Sequence, residues 1–404
     1  MLVRVTISIP AHNLAGTRVL MTALETKLPI VLHRCDEFVG RTTNWLYDHL
    51  RFIPGYTPLV ICDSLANRQE FPELQAWRRI PDTLPRRIWR LLSPHRMFPP
   101  DARRLYRLAP QALHSHFGYV AVDDLPLAEF LDVPWFVGFY GADVYQLGRL
   151  TEWREKYRTM FSRASLVLAL GPNMARQLEE LGCPHEKICV HALGVDVQTL
   201  PVRPRILSSG EPIRLLFAGT FREKKGIRYV IDSAALAKQS GVKLELHLVG
   251  DAAGKPGDLQ TKQAVHERIR TLQLGNFVVN HPYLTFKDLV SLALECHLFV
   301  APSVTAEDGD REGTPFVLQQ MMATAMPVLA TQHSDIPFLF GDLAPLLVPE
   351  RDSRALADRL IAYAVAPGRL KEDGLAFRNQ IQRQFDVRDC AARLARLYDQ
   401  FSSQ

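Results

Sequence analysis

The chain has 404 residues, 47% of them hydrophobic and 23% charged, with a formal net charge of +5. That length exceeds one compact core and suits two globular domains, while no apolar run approaches the roughly 20 residues that cross a bilayer. The six cysteines contain no C-x-x-C pair, which favours buried thiols in a reducing cytosol over a disulfide frame or zinc site, and the mild, local basicity gives no footprint for a nucleic-acid partner.

Taken in chain order, Val3 to Ile9 alternates and contains Arg4, which reads as a first strand rather than a signal peptide. Strands are expected next at 58–62, 112–116, 134–139, 165–170 and 187–191. Between the first two of these, Arg78 to Arg107 carries nine arginines against Asp82 and Asp101, interleaved with Ile88, Trp89, Leu91, Leu92, Met97 and Phe98. Such a segment suits an anionic membrane surface, with Trp89 and the leucines dipping in. The alternative is a helical hairpin that packs its apolar side on the domain and solvates its arginines. Residues 200–212 hold three prolines, two serines and a glycine, a linker composition. A second strand series follows at 213–218, 243–249, 276–280, 297–301, 327–330 and 345–348. Asp386 then caps a helix whose apolar face is Val387, Cys390, Leu394, Leu397 and Phe401. Strands alternating with helical patterns predict parallel sheets, whose ligands bind at the carboxyl ends of the strands.

The most informative stretch follows the strand at 297–301: Pro302 and Ser303, a loop, then Glu312, Gly313, Thr314, Pro315 and an apolar helix from Thr314 to Ala325 that carries Gln320. It resembles the donor loop of the retaining GT-B glycosyltransferases of the family-four, group 1 type, where two glutamates stand eight positions apart; here the second position is Gln320. Gly313 permits close backbone approach and Pro315 suits a first helical turn. A second match is the strand ending at Gly219, followed by Thr220, Arg222, Lys224, Lys225 and Gly226, which is similar to the family's phosphate loop. Thr220 replaces its usual Arg, leaving Arg222 or Lys224 to supply the second charge. Gly250 and Asp251 resemble the turn near the nucleotide. In the first half, His114, His116 and Phe117, then Tyr140, Gly141 and Asp143, resemble the family's "HaHF" and "FHGxD", with Tyr140 in place of its sugar-facing His. Gly194, Val195 and Asp196 resemble its "GVD".

The resemblance covers most of residues 110–350. It implies an α/β chain of GT-B fold: two doubly wound Rossmann-like domains facing across a cleft, an acceptor-side domain at 1–205, a nucleotide-sugar domain at 206–386, and a helix at 387–404 returning to the first. It implies a hexosyltransferase-type enzyme that uses a nucleotide diphosphate sugar, with neither cofactor nor metal. Lys225, Glu312 and Tyr140 would be catalytic. Gly219, Arg222, Lys224, Gly250, Asp251, Gly313, Thr314, Pro315 and Gln320 would bind the donor. Gly16, His116 and Asp143 would lie on the acceptor side. The loop from Ser303 to Gly313 most resembles enzymes of exopolysaccharide or lipopolysaccharide synthesis, implying a saccharide or lipid-linked acceptor and a place in the cytoplasm, at the inner face of the membrane.

Tyr140, Thr220 and Gln320 together motivate a second reading, a non-catalytic nucleotide-sugar-binding partner or sensor. A sugar epimerase or phosphorylase of the same fold is a third. Asp308, Gly309 and Asp310 form a D-x-D inside the donor loop rather than a metal motif. The run from Gly250 to Lys255 is one residue short of a P-loop, and no G-x-G-x-x-G follows the first strand.

Overall fold

A computed structural model describes residues 28–402, apart from 41–44, 68–70, 72–75, 79–82, 94–96, 98 and 255. The strand expected at 3–9 and Gly16 lie outside the described residues. Two all-parallel sheets are present. The first has the order β3-β2-β1-β4-β5-β6-β7, from β1 (Ile30–Phe38), β2 (Thr57–Leu65), β3 (Ala76–Arg78), β4 (Ala112–His116), β5 (Trp135–Gly138), β6 (Leu166–Ala169) and β7 (Ile188–Val190). The second has the order β10-β9-β8-β11-β12, from β8 (Ile213–Ala218), β9 (Leu244–Val249), β10 (Val278–His281), β11 (Leu298–Ala301) and β12 (Val328–Ala330). Both are Rossmann-like, and both reverse direction once, between β1 and β4 and between β8 and β11. Those reversal points open the crevices in which ligands of doubly wound sheets bind.

Ten expected strands match observed ones to within a few residues. The segment 345–348 does not form a strand: a 3₁₀ turn covers Gly341–Leu346, and only Val348 bridges, to Thr331. Pro345 explains this, since it has no N–H for a ladder. The interior strand β1 was not expected. Its apolar run Ile30, Val31, Leu32 is broken by His33 and Arg34, both buried. Arg34 is accommodated because its Nε donates to Asp124 Oδ1 at 2.8 Å and an Nη donates to the Ile61 carbonyl at 3.1 Å. A buried guanidinium is tolerated only with such partners.

The helix Val387–Ser402 crosses back as expected: Ala391, Leu394, Ala395 and Tyr398 join the core of the first sheet. Asp386 caps it by accepting from the Arg388 amide at 2.9 Å. Asp196 pins the crossing, receiving Arg51 at 2.9 Å and Arg388 at 2.8 Å. In the linker, buried Arg205 donates to the carbonyls of Ala293, Cys296 and Thr324. Arg205 therefore anchors the linker to the ends of helices Phe286–Glu295 and Phe316–Ala323.

Candidate active site

At the second reversal point, the loop after β8 tightens into a 3₁₀ turn, Glu223–Lys225, and enters the helix Ile227–Gln239 through Gly226. Gly226 has φ +65°, and a Cβ there would stand 1.9 Å from the Pro302 carbonyl oxygen. Only glycine fits, because the left-handed turn must lie directly on the chain leaving β11. Gly250 has φ +133°, and its Cβ would stand 2.0 Å from the Gly219 carbonyl. The turns after β8 and β9 are thus packed backbone to backbone, leaving Gly219 beneath the Lys225 stem.

This packing brings the two lysines to Glu312. Lys225 Nζ lies 3.2 Å and Lys224 Nζ 3.5 Å from Glu312 Oε1. Lys224 also donates to Asp310 Oδ1 at 3.1 Å and to the Arg311 carbonyl at 3.2 Å. Burial opposes the charge on Lys224, yet Glu312 and Asp310 hold its pKa above the ordinary value. Burial would likewise raise the Glu312 carboxyl, but Lys224 and Lys225 hold it at about 2 against an ordinary 4.5. The Glu312 amide donates to His333 Nε2 at 3.0 Å, and His333 Nδ1 in turn meets Glu350 Oε1 at 2.6 Å. His333 and Glu350 fix the backbone that presents Glu312, and no spacing in the sequence pointed to them.

Because the Glu312 pKa is depressed on folding, its contribution is present above the unfolded value near 4.5 and is lost as pH falls towards 2. About 3 kcal/mol is expected to disappear across that window. Chemical denaturation of Glu312→Gln should lack this acid slope; an unchanged slope would show that the pairing contributes little.

The remaining donor-side residues are arranged unequally. Gly313 rests on the first domain, where a Cβ would stand 3.0 Å from Leu170 Cδ1. The helix begins at Phe316, not Thr314, and ends at Ala323; Pro315 is an extended N-cap rather than part of the first turn. Buried Thr314 Oγ1 has no hydrogen-bond partner among the described residues, and neither has either end of the Gln319 amide. Gln320 is buried beside it. Arg222 turns to Asp258 at 3.2 Å, and Asp251 is bound by Lys262 at 2.6 Å. Both are partnered away from the lysine pair.

At the first reversal point, Asp143 is 1% exposed. It accepts from the amides of Gly118 (3.0 Å), Tyr140 (3.1 Å), Gly141 (2.8 Å) and Val144 (3.1 Å). It clamps the loop after β5 rather than lining an opening. Tyr140 is half-buried, packed on Trp45 and Phe117 with ring centroids at 4.5 and 4.8 Å, and its Oη lies 2.7 Å from His116 Nδ1. His116 is itself 1% exposed. Both residues expected on the acceptor side are buried, His116 at the Tyr140 hydroxyl and Asp143 on the amides of the loop.

Direct contacts join the two crevices. Gln146 donates to Asp308 Oδ2 at 2.7 Å, and Asp335 accepts from the amides of Asn173 (2.7 Å) and Met174 (3.1 Å) at the start of helix Pro172–Glu180. Asp308 and Asp310 therefore each have a protein partner of their own.

Two sheets of this order, a crossing terminal helix and a lysine–glutamate cluster at the second reversal point define the GT-B class of glycosyltransferase folds. Residues 46–199 match the family model Glycosyltransferase Family 4, and residues 212–364 match Glycosyl transferases group 1. The chain belongs to this glycosyltransferase family. Over 257 residues it is 32% identical to a glycosyltransferase assigned to colanic acid biosynthesis, WcaL of Escherichia coli (strain K12), covering 62% of this chain and 60% of that protein. Over 290 residues it is 28% identical to the amylovoran biosynthesis glycosyltransferase AmsK of Erwinia amylovora, covering 71% and 69%. The chain thus spans about 60% of the length of the Escherichia coli relative. Among solved structures, Anabaena HepE in complex with UDP-glucose shares the fold with a TM-score of 0.72 at 17% identity, covering 92% of this chain and 99% of that one.

Proposed function

We propose that this chain is a retaining glycosyltransferase that moves a sugar from a nucleotide diphosphate sugar to a saccharide or lipid-linked acceptor in exopolysaccharide synthesis. The observation that carries this reading is the cluster of half-buried Lys224 and Lys225 with buried Glu312 at the reversal point of the second sheet. A departing diphosphate needs positive charge where negative charge develops. Lys225, which has Glu312 as its ion-pair partner, would supply it together with amides at the start of helix Ile227–Gln239, so no metal ion is required of the reaction. Lys224 would hold the loop, since Asp310 and the Arg311 carbonyl already engage it. Glu312, and Thr314 with its unpartnered hydroxyl, would take hydroxyls of the donor, and Gln320 would take the ribose. Transfer on one face of the sugar, with the acceptor hydroxyl attacking beside the leaving phosphate, needs no protein nucleophile. The relatives assigned to colanic acid and amylovoran synthesis, and the UDP-glucose bound to HepE, support the acceptor and donor classes.

Calorimetric titration with UDP, GDP, ADP and CMP, without metal and then with magnesium, tests the site. Selective metal-free binding of one nucleotide diphosphate is expected, followed by a product that keeps the donor's anomeric configuration. Binding to none of them would favour a partner protein with a disabled site.

The membrane part of the proposal rests on helix Leu84–Leu92. Leu84, Ile88, Leu91 and Leu92 are 69%, 48%, 84% and 73% exposed and lie on one helical face. Trp89 is half-buried and off that stripe, so the leucines rather than the indole would enter the lipid. An apolar face on an arginine-rich segment fits an anionic bilayer surface, and no described helix is long and apolar enough to cross a membrane. Flotation with phosphatidylglycerol vesicles should recover the protein, and Leu91→Glu should lower partitioning about tenfold. Recovery independent of anionic lipid would remove this part.

A further inference from the structure

Beneath Tyr140 the first domain buries five histidines: His33 on β1, His114 and His116 on β4, His49 on helix Trp45–Arg51, and His191 just after β7. The register pairs His33 directly with His114, which puts their side chains on one face of the sheet with His116 two residues on. Four contacts connect the group to itself and to two tyrosines. Tyr140 Oη lies 2.7 Å from His116 Nδ1, and His116 Nε2 lies 3.1 Å from His33 Nδ1. His114 Nδ1 lies 2.7 Å from Tyr398 Oη, and His49 Nε2 lies 3.0 Å from His191 Nε2. Three ring nitrogens have no partner among the described residues: His33 Nε2, His49 Nδ1 and His114 Nε2.

Burial lowers the pKa of all five, helped by neighbouring imidazoles at His33, His114, His116 and His191 and by Arg393 at His49 and His191. Each is therefore a neutral ring with one N–H and one lone pair. A buried N–H without an acceptor is rarer than a buried acceptor without a donor. The proton of His33 then belongs on Nδ1, where it is given to His116 Nε2. His116 can hold its own proton only on Nδ1, where it is given to the Tyr140 oxygen. The same rule places the His49 proton on Nε2, while the His114–Tyr398 contact leaves one buried donor without an acceptor whichever way its proton points. Along His33, His116 and Tyr140 this arrangement leaves one lone pair, on His33 Nε2, and one donor, the O–H of half-buried Tyr140, whereas the reverse arrangement would leave a fully buried His33 Nε2–H without an acceptor.

We infer that His33 and His116 act as positioning residues that fix the direction of the Tyr140 hydrogen bond, so that its hydroxyl faces the site as a dedicated proton donor to an electron-rich oxygen of the bound nucleotide sugar. The Tyr140 oxygen is already receiving a proton from His116, and its own O–H is free to turn outwards. Burial, with Asp143 and Cys35 nearby, pushes its phenol well above the ordinary value, so that proton is retained. Trp45 and Phe117 hold the ring, and the histidines hold the proton. The inference rests on the nucleotide-sugar reading above for its ligand, but not for its proton arrangement.

Long-range 15N–1H spectra of the full chain labelled at histidine read the tautomers without any ligand. His33 and His116 are expected as Nδ1–H forms; an Nε2–H form of His116 would reverse the chain of bonds and overturn the inference. The second measurement is the ratio of UDP-glucose to UDP affinity. Tyr140→Phe, which leaves the histidines in place, should lower that ratio about five- to tenfold, the loss of one hydrogen bond to a buried group, with UDP affinity unchanged. His116→Leu should lower it similarly. An unchanged ratio in Tyr140→Phe would overturn the donor role. If neither ligand binds the wild-type chain, the nucleotide-sugar reading fails while the spectra still decide the proton direction. The candidate ligand atoms of His33, His114 and His116 lie within 4.8 Å of one another. A stoichiometric zinc or cobalt ion that is lost in His33→Gln would therefore also overturn the inference, since it would claim the same lone pairs.

Discussion

Lys225→Ala should bind nucleotide diphosphate about 10- to 100-fold more weakly than the wild type while keeping its thermal transition. The loss corresponds to one charge-assisted contact of about 1.5–3 kcal/mol. The fold should survive because Glu312 retains Lys224 at 3.5 Å, and Lys224 retains Asp310. Lys225→Arg should not restore binding. The aliphatic stem runs over Gly219 and delivers a compact ammonium 3.2 Å from Glu312, a point that a broad planar guanidinium on a different stem does not reproduce. Calorimetry at two salt concentrations separates a direct phosphate contact from a general change of field, which salt would screen. Wild-type affinity in Lys225→Ala would take the phosphate contact away from this residue.

Asp143→Asn should destabilise the first domain by about 2–4 kcal/mol, although it changes only one atom's chemistry. The carboxylate receives three amides on Oδ1 and two on Oδ2, with the Tyr140 amide shared. An asparagine can present one acceptor, and its NH₂ must then face a backbone N–H. A buried donor left facing a donor loses its bond and keeps its desolvation cost. The expected fall in Tm is about 5–15 °C, measured by calorimetry. Tyr140 should lose its fixed position as well, since its amide is among those released. A shift of less than about 2 °C would mean that the loop is held by its aromatic packing alone.

The second domain was legible because its loops must be made by particular residues. Gly226 and Gly250 sit where any side chain would strike a carbonyl, so the turns after β8 and β9 cannot be written in other letters. Glycine and proline also mark where strands stop, which is why most strand limits agree. The first domain was harder to read at its start. β1 hides a buried ion pair between Arg34 and Asp124, 90 residues apart, and a polar residue in an interior strand breaks the apolar pattern that reveals such strands. The candidate site was legible in identity but not in arrangement. Lys225, Glu312 and Tyr140 stand at the reversal points, yet Asp143 and His116 proved to be supports rather than walls. His33, His333 and Glu350 act through contacts 17 to 83 residues distant, which no local motif can encode.

The returning helix has a consequence for how the protein is made. The sheet of the first domain is complete at Val190, but the residues that close its core, from Ala391 to Tyr398, leave the ribosome roughly 200 residues later. At ordinary speeds of synthesis that is a delay of about 10–40 s. Throughout that interval His114 lacks Tyr398, the partner it meets at 2.7 Å in the finished chain, and an apolar face of the nascent sheet stays uncovered. The second domain, with its own core, can finish before the first. Emergence of helix Val387–Ser402, rather than of the sheet it covers, is then the step that completes the first domain.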